Sequence, residues 1–190
     1  MPGVRLFQLR AQQVRHAVEQ VEQLGGPGAA PHARCYHALA VATLRANQGR
    51  LGRSLPWARQ LYAEYDPMTA DILAAALAEA GEAKEAGAVL AQAGPLPANY
   101  FFKVFGTFRA MTLVALGQTR GAEELYASLL PYRDAPPPST GFTVATRPVA
   151  YTLGELALLL GRKGDAADHF ARATAIADQW HSPWGGRSRR

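Results

Sequence analysis

Four glycines set a recurring pattern that narrows what this chain can fold into. Gly161 is followed by Ala166 five residues on, Phe170 nine on and Ala173 twelve on. Gly117 is followed at the same offsets by Ala122, Tyr126 and Leu129, and Gly81 by Ala86, Leu90 and Ala93. Gly49 leads Ser54, Ala58 and Leu61, a poorer match. A glycine accepts the left-handed backbone of a tight turn after a helix. An alanine one turn into the next helix lets that helix approach its predecessor, and the larger residue after it fills the gap to the following pair. The chain holds 37 alanines among 190 residues. Alanine is the best helix former and buries little area per residue, so the composition points to many closely packed helices.

Apolar spacing and breakers predict about nine helices and no strand. They run over Val4 to Leu24, Pro31 to Asn47, Pro56 to Glu64, Asp66 to Ala80 and Glu82 to Ala93. The rest are Ala98 to Leu116, Gln118 to Leu130, Thr146 to Leu160 and Lys163 to Trp180. Asp66-Pro67 reads as a start signal, a capping side chain before a pre-set φ. The stretch from Arg133 to Thr143, with Pro136, Pro137 and Pro138, is the longest without a helical pattern.

The last copy, Leu153-Gly154 followed by Gly161, Ala166, Phe170 and Ala173, resembles the tetratricopeptide repeat. The turn-glycine spacings of 36 and 44 compare with a family period of about 34, the excess falling in the proline-rich stretch. The resemblance implies an all-α fold, a right-handed array of antiparallel helix pairs. It divides the chain into a degenerate helical part at 1–65, repeats over 66–181 and a flexible basic tail at 182–190.

A narrower likeness lies in the C-terminal half. Leu125-Tyr126-Ala127-Ser128-Leu129-Leu130-Pro131-Tyr132, a proline-rich loop, Leu153-Gly154-Glu155-Leu156-Ala157, Leu160-Gly161-Arg162 and His169-Phe170 follow in order. That order is similar to the helical-repeat regions of large actinobacterial transcriptional regulators, of the antibiotic-regulatory-protein and LuxR-type ATP-dependent kinds. Such regions follow a nucleotide-binding module and receive an inducer or a partner protein. Two features of those regulators are missing from this sequence: a basic recognition helix and the Gly-x4-Gly-Lys-Ser/Thr phosphate loop. The likeness therefore implies the sensing or scaffolding part alone.

Charge and motif content set expectations about chemistry. The formal net charge is +5, and Arg187, Arg189 and Arg190 of the tail supply three of the excess positives. The body is only mildly basic, so direct nucleic-acid binding is not expected. The lone Cys35 permits no internal disulfide, and Arg5 and Arg10 interrupt the start with no apolar signal core after them. With no apolar run of about 18 residues, a cytoplasmic protein off the membrane is expected. No metalloprotease, nucleophile-elbow, Cys-x-x-Cys or EF-hand motif occurs, so neither an enzyme nor a cofactor or metal site is expected. His32, Cys35 and His37 form the one soft-ligand group, but His37 sits about 200° from Cys35 around a helix. His169 reads as a helix residue pairing with Asp165 one turn before it.

Two surfaces are candidates for binding. In tetratricopeptide arrays the first helix of each pair lines a concave groove. The resemblance places Asp71, Ala75 and Ala78 there, then Val104, Thr107, Met111 and Val114, then Tyr151, Glu155, Leu158 and Leu159. An apolar groove with few charges suits a protein partner or regulator domain, a second copy of the chain, or the loop from Pro136 to Phe142. The alternative is a small apolar effector held near the aromatic cluster. There Phe101, Phe105 and Phe108 share a face as core, and Phe102 lies about 100° away in line with Arg109. Phe102, Phe105 and Arg109 are the expected pocket residues.

Overall fold

In a computed structural model, residues 31–65, 67–138 and 146–179 are described, with side chains from residue 36 onward. Among them the fold is all-α, with eight helices and no strand. The helices are α1 (Pro31–Asn47), α2 (Leu55–Tyr65), α3 (Ala70–Glu79) and α4 (Ala83–Gln92), then α5 (Phe102–Ala115), α6 (Ala122–Leu129), α7 (Val149–Leu159) and α8 (Lys163–Gln179). Single 3-10 turns precede α2 at Gly52–Ser54 and follow α6 at Leu130–Tyr132. The expected helix over Val4 to Leu24 and the basic tail at 182–190 lie outside the described residues.

The turn glycines behave as their spacing predicts. Gly49, Gly81, Gly117 and Gly161 all have positive φ. Each is followed by an amide that reaches back to the fifth carbonyl before it. These bonds are Arg50 to Arg45 at 2.9 Å, Glu82 to Leu77 at 2.9 Å, Gln118 to Leu113 at 2.9 Å and Arg162 to Ala157 at 2.8 Å. This closure satisfies carbonyls that a helix end leaves open. The Gly49 turn shares it, although the side chains after that glycine match the others poorly.

Three helices start four residues after the expected position, each for a local reason. α3 begins at Ala70 rather than at Asp66-Pro67. Residues 67–69 form a turn closed by Met68 N–H to Tyr65 carbonyl (3.0 Å) and Ala70 N–H to Pro67 carbonyl (3.2 Å). α5 begins at Phe102 rather than Ala98, because the Asn99 side chain accepts the Phe101 N–H at 2.9 Å, a local turn that competes with helix. α6 begins at Ala122 rather than Gln118, because Gly121 is left-handed at φ 80°.

Packing follows the glycine pattern. α3 packs on α4, α5 on α6 and α7 on α8, while α3, α5 and α7 also pack on one another in chain order. The alanines five residues after the turns, Ala86, Ala122 and Ala166, are fully buried at these contacts. Gly154 lies under the Phe170 ring, and a β-carbon there would stand 2.6 Å from Phe170 Cε1. The motif's glycine and aromatic are thus two halves of one contact. α5 joins two core clusters. Val104, Phe105 and Phe108 pack with α1 to α4, and Ala110 and Leu113 with α6, α7 and Ala166 of α8.

Candidate functional site

Several of the residues expected to line a groove along the first helices are buried. Asp71 and Ala75 are buried, as are Val104 and Thr107. Asp71 does not face a partner: its carboxylate accepts Arg109 Nε at 2.8 Å and Nη2 at 3.0 Å, and the same Nη2 donates to the Gly94 carbonyl at 2.8 Å. Burial pushes the Asp71 pKa up, and Arg109 partly offsets this. The Thr107 hydroxyl donates to the Lys103 carbonyl at 2.8 Å, within its own helix. These two residues therefore belong to the packing of α3 and α5 rather than to a recognition surface. The correction has one cause. α3 and α5 press together along the stripe that the family mapping assigns to the groove.

The expected groove residues that stay at least partly exposed lie mainly on α7. Tyr151 and Glu155 are half-buried, and Leu158 is 52% exposed, at spacings of four and three that share one helix face. Arg147, 8% exposed just before α7, holds this face together. Its Nε donates to Thr152 Oγ1 at 3.2 Å, and its guanidinium lies 5.2 Å from the Tyr151 ring centre. Its Nη2 stands 2.7 Å from Glu155 Oε2, an ion pair set off the hydrogen-bond direction. Met111 and Val114 of α5 are half-buried beside their core clusters.

The three expected pocket residues separate into two sites. Phe102 and Arg109 line a cleft of about 560 Å³ between α4 and α6, with Leu96, Leu113 and Leu125 as apolar wall and Arg120 and Glu124 as charges. Phe102 also meets Tyr132, ring centres 5.7 Å apart. Phe105 lines a different cavity, of about 320 Å³. Around α5 Arg109 lies only about 20° from Phe102 and shares its cleft, whereas Phe105 lies about 60° from Phe102, on the stripe of Phe101 and Phe108, and meets different neighbours.

The Phe105 cavity is the less polar of the two. α1 contributes Tyr36, Ala38 and Leu39, and α2 contributes Leu61 and Tyr65. Met68 and Thr69 of the turn before α3, Ile72 of α3, and Phe101 and Phe105 also line it. None of these side chains is charged. Phe101 and Phe105 meet edge to face at 6.1 Å, and Tyr36 stacks on Phe101 at 6.2 Å. Such ring pairs add directional attraction to their buried area. Thr69 is 4% exposed, and its hydroxyl donates to the Leu61 carbonyl at 3.4 Å. Met68, 51% exposed, stands at the mouth. A mostly apolar, concave space with a few placed hydroxyls has the make-up of a small-molecule site.

A buried polar pair that the sequence pattern did not single out links α6 to α8. His169 is 7% exposed, and its Nε2 lies 2.9 Å from the Tyr126 hydroxyl. This corrects the expected surface pairing with Asp165. Burial pushes the His169 pKa below its usual 6.5, and Asp165 acts through its charge in the opposite direction. Arg162 lies 5.3 Å from the Tyr126 ring centre and pairs with Glu123 at 2.7 Å. The signal in the sequence was the aromatic nine residues after one turn glycine, which meets the residue eight after the next.

Among the described residues, no group of three or more His, Cys, Asp and Glu is placed to hold a metal ion. The side chains of His32 and Cys35 lie outside the described residues. Among the described residues, no helix is long and apolar enough to cross a membrane. Comparison with protein families, with curated proteins and with solved structures finds no match to this chain.

Proposed function

We propose that this chain is a non-enzymatic, effector-sensing helical module, part of a cytoplasmic bacterial transcriptional regulator of the actinobacterial kind its C-terminal half resembles. The observation that carries the reading is the uncharged cavity of about 320 Å³ formed jointly by α1, α2, α3 and α5. A ligand there touches Phe105, on the helix that both core clusters share. Occupancy favours one placement of α5 against α3, and α5 passes that bias to α7 and its exposed face. The coupling depends on the ligand binding one placement more tightly than the other.

Native mass spectrometry of the purified full chain tests the reading. An added small-molecule mass, lost in the Phe105→Trp variant, supports it. A chain that takes up no apolar small molecule at any concentration tried contradicts it.

Leu158 favours a second role for α7 as the face that meets a protein partner or regulator domain, because 52% of a large apolar side chain stays exposed beside Tyr151 and Glu155. Leu158→Glu then abolishes partner binding and leaves the thermal melt near wild type. Binding unchanged by Leu158→Glu removes this role.

A further inference from the structure

The cavity's chemistry narrows the ligand further, an inference that rests on the reading of that cavity as the effector site. Among the described residues its lining holds no Asp, Glu, Lys, Arg or His. A charged ligand would lose its hydration there and find no opposite charge, a large penalty. The aromatic side chains Tyr36, Tyr65, Phe101 and Phe105 offer ring faces and edges. At about 320 Å³ the space is at the small end of ligand sites, which span about 300–1,000 Å³. A compact, uncharged aromatic molecule fits this lining.

The hydroxyls decide its polarity. Among the described residues three in the lining carry one: Tyr36, Tyr65 and Thr69. Tyr36 is engaged in a side-chain hydrogen bond with Tyr100. The Thr69 hydroxyl has a single proton, directed at the Leu61 carbonyl, so toward a ligand it is an acceptor. A ligand that pairs with the Thr69 hydroxyl brings the donor. We propose that the cavity between α1, α2, α3 and α5 binds a compact, uncharged aromatic molecule bearing an O–H or N–H group that donates to Thr69 Oγ1.

Calorimetric titration of the full chain with 2-naphthol, naphthalene and 2-naphthoate tests this. Ala38→Leu, which fills the cavity from α1, assigns any binding to it. The expected result is that 2-naphthol binds more tightly than naphthalene and that 2-naphthoate binds at least tenfold more weakly than 2-naphthol. Thr69→Val weakens 2-naphthol by about fivefold. Thr69→Ser restores it, and naphthalene responds to neither substitution. Equal loss of naphthol and naphthalene in Thr69→Val, or no loss of either, overturns the donor assignment. Naphthoate binding as well as naphthol overturns the uncharged class while leaving a ligand site in place. Absence of binding by all three, or binding that Ala38→Leu does not reduce, removes the cavity as the site and the effector reading with it. A thermal melt of each variant identifies any that fails to fold.

Discussion

Replacing a glycine in mid-helix with alanine has opposite effects at two positions of this chain. Neither Gly87 in α4 nor Gly154 in α7 has a positive φ, so alanine fits the backbone at both. At Gly87 a new methyl group meets nothing within 4 Å. The helix gains alanine's propensity, about 1 kcal/mol. At Gly154 the same methyl lands 2.6, 2.8 and 2.9 Å from three atoms of the Phe170 ring. Phe170 is itself held edge to face against Tyr151 at 5.3 Å, so the ring has little room to yield. Overpacking of this kind costs about 1–3 kcal/mol, which cancels or exceeds the propensity gain. The two variants should then differ by about 1–3 kcal/mol, or roughly 2–12 °C in melting temperature for a chain of this size. Differential scanning calorimetry of both, side by side, reads the gap. Phe170→Leu added to Gly154→Ala should recover part of the loss, because a smaller side chain vacates the contested space. An equal rise in melting temperature for Gly87→Ala and Gly154→Ala would refute the claim that the motif's glycine and aromatic form one contact.

Three further outcomes follow from the same packing. Phe170→Ala should cost about 3–5 kcal/mol through the void it leaves, read by urea melts, and a cost under about 1 kcal/mol would count against its place between α7 and α8. Asp71→Asn and Arg109→Met should each cost about 3–5 kcal/mol, since each strands the other half of a largely buried ion pair, whereas Asp71→Leu with Arg109→Met should recover most of the loss. Recovery of nothing in the double variant would mean the two groups are not coupled. His169 has a folded pKa below its unfolded value of 6.5, so the unfolded chain takes up the proton first as pH falls. Its contribution is complete above pH 6.5 and is lost as the pH drops through the folded pKa. His169→Gln should flatten the decline in melting temperature between pH 7 and pH 5, and an unchanged slope would show that other groups cause it.

What the sequence disclosed and what it hid divide along range. Gly81, Gly117 and Gly161 were legible because a left-handed turn residue is a local requirement, and the helices between them follow within a few residues. The burial of Ala86, Ala122 and Ala166 was legible from their fixed offset. Helix starts were displaced where a short-range competitor prevailed, as at Asn99 and Gly121. Contacts 38 and 43 residues apart, Asp71 with Arg109 and Tyr126 with His169, were not legible. They depend on the rotation of one helix pair relative to the next, which no local pattern encodes. The same rotation buried Asp71 and Thr107 and left Leu158 outside. Phe102 and Phe105 were expected to line one pocket, and they line two separate spaces. Their angular separation around α5 sends them to two.

Three methionines make the central claim directly measurable. Met68 stands at the mouth of the cavity, Met111 lies on α5, half-buried among the first core cluster, and Met1 lies outside the described residues. With 13C-methyl methionine in the full chain, NMR spectra recorded through a titration with 2-naphthol report on each separately. The account predicts a saturable shift of the Met68 signal, with a smaller shift at Met111 as α5 adjusts, and loss of both in Ala38→Leu. A Met68 signal that stays fixed while Met111 moves, or a spectrum that does not change at all, would contradict it.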